Sequence, residues 1–96
     1  MGDKAELITE KDVRERYRAN YVERGERYQR DGHIASLWST DHGLVGLCHG
    51  SEPEPYRVEV AINQYAEIGG SLCSCPIGGD CKHVVALLLE FIRSSE

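Results

Sequence analysis

The sequence predicts an α+β domain in which a small antiparallel sheet of three to four strands is flanked by amino-terminal helices and one carboxyl-terminal helix. Three observations carry this. Residues 10–31 are rich in Arg and Glu, free of proline, and place Val13, Tyr17 and Tyr21 at fourfold spacing, the stripe of an amphipathic helix. Residues 56–62 alternate, with Tyr56, Val58, Val60 and Ile62 on one side and Arg57, Glu59 and Asn63 on the other, the period of a half-buried strand. Residues 84–92 form an apolar run too long for a buried strand, which makes it a buried helix.

In order along the chain, Thr9 and Asp12 have the spacing of a capping box, and a helix is expected over about 10–19. Gly25 costs about 1 kcal/mol in a helix relative to alanine, so a kink is predicted between Asn20 and Gly25, with a second short helix through Tyr28 and a stop at Gly32. Ile34 to Thr40 alternates, Ser39 to Gly43 supplies a turn, and Leu44 to Cys48 returns, which predicts a hairpin. Ser51 to Pro55 is a second turn, the alternating strand follows, and Ile68 to Cys73 adds a fourth. Residues 1–9 are expected to be a flexible terminus and 10–96 a single domain.

With 96 residues, such a domain buries only about two thirds of its unfolded surface, so a staple would help it. No run approaches the roughly 18 to 20 apolar residues of a membrane span, and the amino-terminal stretch lacks the apolar core of a secretory signal. These features predict a cytoplasmic chain that does not engage membranes. A reducing compartment keeps thiols free and favours metal over disulfide. The net charge of −5 lacks the basic signature of an autonomous nucleic-acid binder.

Three of the four cysteines and one histidine fall within residues 73–83. On an extended strand Cys73 and Cys75 point the same way, while Ser74 points away. A disulfide across one intervening residue would be severely strained. Pro76, Gly78 and Gly79 form a tight return. Asp80 is a good N-cap, which would start the last helix at Cys81. Cys81 and His83 can converge only at the helix entrance, because i and i+2 lie about 200° apart on a helix. Three thiolates and one imidazole complete a tetrahedron around one structural Zn²⁺, leaving a charge of about −1 that the helix amino terminus and Lys82 favour. A nucleophilic Cys81–His83 pair is the enzymatic alternative; two further thiols crowd it and no residues to position a small-molecule substrate accompany it.

The pattern Cys73-x-Cys75-x5-Cys81-x-His83, with Pro76, Lys82 and the apolar run that follows, resembles the SWIM zinc finger. Gly25, Tyr28 and Gly32, together with the strand Tyr56-x-Val58-x-Val60, are similar to the region preceding the finger in prokaryotic members, which extends the resemblance over about 11–93. It implies zinc-dependent folding and binding to protein or DNA, with no enzymatic activity in the finger.

The remaining candidates have simpler readings. Cys48 is expected to be a small buried residue, with His33, His42 and His49 outside any site. Lys11, Arg14 and Arg18 share a face with Glu15, a solvated, ion-paired surface more than a phosphate grip. Trp38, Tyr56 and Tyr65 are expected to fill the core. Val84 to Ile92 is apolar over more of its circumference than one small sheet covers, so part of it, Leu89 included, is expected to dock a protein partner or a neighbouring domain. The predicted function is binding, through protein contacts or DNA.

Overall fold

The computed structural model describes residues 7–94. Its elements run α1 (Glu10–Arg16), α2 (Ala19–Arg30), β1 (Ile34–Thr40), β2 (Gly43–Cys48), β3 (Tyr56–Ile62), β4 (Ile68–Cys73) and α3 (Lys82–Ser94). The strands form one antiparallel meander in the order β1-β2-β3-β4. Residues 1–6, most of the terminus expected to be flexible, lie outside the described residues. The packed part begins at Ile8, which is buried in the core, one residue before the expected boundary.

Thr9 caps α1 reciprocally: its backbone N–H donates to Asp12 Oδ2 at 2.8 Å and its Oγ1 accepts from the Asp12 N–H at 3.3 Å. The chain breaks at Tyr17 and Arg18, both extended, and not between residues 20 and 25. Tyr17 is buried, and holding it in the core turns the chain before α2 starts.

Gly25 does not kink α2; it sits in its middle at the closest approach to α3. A Cβ there would fall 2.5 Å from Val85 Cγ1 and 3.0 Å from the Lys82 carbonyl, so the missing side chain lets two helix backbones meet. Gly32 ends α2 with φ +77° as expected.

The last helix is the centre of the molecule. It touches all four strands on one side and α1 and α2 on the other, and residues 83–89 are all buried. The expectation that part of this helix is open to a partner is therefore corrected: Leu89 is 2% exposed, because the amino-terminal helices cover the side that the sheet leaves free. Arg93 clamps this layer, donating to Glu26 Oε1 at 2.9 Å, Glu10 Oε1 at 3.1 Å and Gln29 Oε1 at 2.7 Å.

Val58, Val60 and Ile62 line the inner face of β3, matching the alternation in the sequence. Two aromatic residues depart from expectation. Trp38 is 44% and Tyr65 74% exposed: Trp38 points from the sheet face away from α3, and Tyr65 lies in the turn between β3 and β4. Tyr56 packs against the core. No helix among the described residues is long and apolar enough to cross a membrane.

Candidate metal centre

β4 and the entrance of α3 meet at Cys73, Cys75, Cys81 and His83, all four buried and with ligand atoms within 4.8 Å of one another. Cys73 is the last residue of β4. Next to it Ser74 turns away and pins the strand end to β3: its Oγ accepts from the Arg57 N–H at 2.9 Å and its N–H donates to the Arg57 carbonyl at 3.0 Å. Cys75 lies beyond the strand in a knuckle closed by the Gly78 N–H donating to the Cys75 carbonyl and the Cys73 N–H donating to the Gly78 carbonyl, at 3.0 and 2.8 Å. Gly78 has φ +89°, where a side chain would strain. Gly79 does not share that conformation; a Cβ on it would meet the Ser71 carbonyl at 2.5 Å.

Asp80 is not the N-cap. It takes φ +49° and its side chain faces back to β4, accepting from Ser71 Oγ at 2.7 Å while its N–H donates to the same oxygen at 2.8 Å. Arg16 lies 3.6 Å from its carboxylate. The cap position falls to Cys81, whose carbonyl receives the N–H groups of Val84 and Val85. Its sulfur also accepts from the backbone at Val84 and His83. One residue thus opens α3 and turns its sulfur inward, and His83, in the first turn, can face the same point.

The spacing of the donors fits a tetrahedral ion. Cys75 Sγ and Cys81 Sγ are 3.8 Å apart, and His83 Nδ1 is 3.5 Å from Cys81 Sγ and 3.6 Å from Cys73 Sγ. A tetrahedral zinc with bonds of about 2.3 Å to sulfur and 2.05 Å to nitrogen sets edges of about 3.8 Å between sulfurs and about 3.6 Å between sulfur and nitrogen. A disulfide needs sulfurs about 2.05 Å apart, and all four cysteines are free.

The electrostatics favour anionic sulfur at the helix entrance. The hydrogen bond from the Cys73 thiol, then those from His83 and the backbone N–H groups, hold the Cys81 thiol below its ordinary value. The same bond, with burial, pushes Cys73 up. Lys82, between two of the donors, lies with its ammonium 4.8 Å from the Tyr28 ring centroid. Tyr56 and Tyr28 flank the His83 ring at 4.8 and 5.5 Å.

Residues 56–91 match the family model of the SWIM zinc finger. This part of the chain is a SWIM zinc finger. The match begins at β3, so the resemblance drawn from Gly25, Tyr28 and Gly32 lies outside it. No curated protein and no solved structure matches the chain. The SWIM finger and its set of three cysteines and one histidine point to one structural zinc ion.

The other sequence candidates stay out of the cluster. Cys48 is fully buried, and burial pushes its thiol up to about 12; it is a small core residue. His33 stacks on Tyr28 at 4.2 Å, with its Nδ1 2.8 Å from the His49 carbonyl. Arg14 pairs with Glu10 at 3.3 Å and Glu26 at 3.8 Å, the ion-paired surface the sequence predicts. Sequence reasoning missed the Ser71–Asp80 and Arg57–Ser74 tethers, since a lone serine carries no signal of the strand it will bond.

Proposed function

We propose that Cys73, Cys75, Cys81 and His83 ligate one structural zinc ion, and that residues 10–96 form one zinc-dependent domain that docks a partner protein. The observation that carries this reading is the convergence of four buried donors at tetrahedral spacing. Four protein ligands leave no position for substrate, the mark of a structural site. The module is non-catalytic on this reading: the sulfur of Cys81 and Nδ1 of His83 both turn inward to two more thiols, away from any solvent-facing cleft where a nucleophile would work.

Protein is favoured over DNA by charge. The chain carries a net −5, and Arg14, Arg16, Arg57 and Arg93 are engaged with carboxylates, which leaves few cations to neutralise phosphates. The reading also places the domain in the cytoplasm, where reduced thiols remain available to a metal.

Metal analysis and alkylation of the purified protein test it together. One zinc per chain is expected, lost on Cys73→Ser or His83→Asn, with slow alkylation of all three thiols while zinc is bound. A metal-free protein, or one thiol that alkylates rapidly in the loaded protein, contradicts it. Measured against a duplex oligonucleotide, affinity that falls steeply with salt would favour DNA as the partner.

A further inference from the structure

The face of the sheet turned away from α3 carries a built groove. The register sets Trp38 opposite Val45, Val45 opposite Glu59, and Glu59 opposite Leu72, so these four side chains form one row across all four strands. Their direction is fixed by the neighbour of Val45: a Cβ on Gly46 would run into Leu87 of α3, so Val45 points the other way. Trp38 and Leu72, at the ends of the row, are 44% and 66% exposed, and three strand spacings put them about 14 Å apart.

Beside this row the outward residues are small. Gly43, Ala61 and Gly70 help to line a groove of about 370 Å³, with Thr40 and His42 at one end and Leu72 at the other. The one formally charged residue lining it is Glu59; no Lys or Arg does so.

We infer that this groove receives an amphipathic helix of a partner protein, with an apolar face and flanking lysine or arginine. This rests on the docking function proposed above and names its surface. Apolar side chains would fill the trough between Trp38 and Leu72, a span of about three helical turns, and a cation would meet Glu59. Nucleic acid fits poorly, because nothing in the lining neutralises phosphate. A second copy would bring another chain of net charge −5 to a groove whose own charge is negative. An extended peptide would need free backbone groups, and the groove crosses the sheet face, where the backbone is already paired.

Gly70 gives a direct test. A Cβ there meets nothing within 4 Å, and its φ is not one that excludes side chains, so Gly70→Leu fills the groove without touching the core. The zinc-loaded, ¹⁵N-labelled protein is titrated with a 14-residue model peptide bearing leucines on one helical face and lysines on the other, and with a control carrying glutamates for lysines. Amide shifts are expected at Trp38, Val45, Glu59, Ala61 and Leu72, with no binding of the glutamate peptide. Gly70→Leu should weaken binding roughly tenfold or more with zinc content and Tm unchanged; Leu72→Ser gives the same readout should Gly70→Leu fold poorly. Unchanged affinity in a folded variant, equal binding of the glutamate peptide, or shifts confined to α1, α2 or the outer edge of β1 overturn the inference. So does a concentration-dependent dimer that Leu72→Ser dissolves. Zinc content measured on the same samples separates failure of the groove from failure of the metal site.

Discussion

Gly25 in the middle of α2 lies directly against Val85 in the second turn of α3. The space for one β-carbon is missing: it would sit 2.6 Å from Val85 Cβ and 2.5 Å from Val85 Cγ1. This approach sets the position of the helix entrance that carries Cys81 and His83, so amino-terminal sequence outside the finger helps to shape the metal centre.

Gly25→Ala should therefore destabilise the domain. Helix propensity alone would stabilise it by about 1 kcal/mol, but overpacking against a β-branched side chain costs about 1–3 kcal/mol, and Val85 Cβ cannot rotate away. Urea unfolding of the zinc-loaded protein should show a lower midpoint with unchanged slope.

Cys81 and Cys48 should separate cleanly although both are fully buried. Cys81→Ser removes a ligand and the cap of α3, and zinc should be lost along with cooperative unfolding. Cys48→Ala only trims a core side chain, with zinc retained at a cost of about 1 kcal/mol. Metal content and thermal melts of the two variants decide this.

Ser71→Ala should loosen the knuckle. It removes both hydrogen bonds to Asp80, leaving Asp80 in its left-handed conformation without that support. A loss of about 1–2 kcal/mol is expected, with a several-fold rise in the zinc dissociation constant measured by competition with a chelating dye.

Arg93 should contribute in a pH-dependent way. Its hydrogen bond to Glu10 is the main cause holding that carboxyl below its ordinary 4.5. A depressed carboxyl adds stability that is present above about pH 4.5 and lost as pH falls through the lower folded value. At side-chain exposures of 25% and 28%, the pair is worth about 0.5–1 kcal/mol. Arg93→Met should thus melt a few degrees lower at pH 7, and the gap from wild type should close on acidification toward pH 3. A gap independent of pH would sink this assignment.

Much of the site is legible in the sequence because its cues are local. Two alternating cysteines at a strand end, a glycine-bearing return and a Cys-x-His at a helix entrance allow few geometries, and the alternation from Tyr56 to Ile62 announces which side of β3 is buried. What is not legible depends on partners distant in sequence. Gly25 looks like a helix breaker until Val85 is placed against it. Asp80 looks like an N-cap until Ser71 claims its carboxylate. Trp38 sits in a well-formed alternation, but period alone does not say which face of a sheet a helix will cover. The excess apolar surface of α3 reads as a docking face only while α1 and α2 are imagined elsewhere.

The central claim is that one zinc at Cys73, Cys75, Cys81 and His83 holds β4 to the start of α3 and thereby the fold. Its most direct measurement is thermal unfolding, followed by circular dichroism, of the reduced protein before and after zinc is stripped by a chelator, with zinc added back. The account predicts a cooperative melt that disappears on stripping and returns with one equivalent of zinc. A stripped protein with the same spectrum and the same Tm would contradict it.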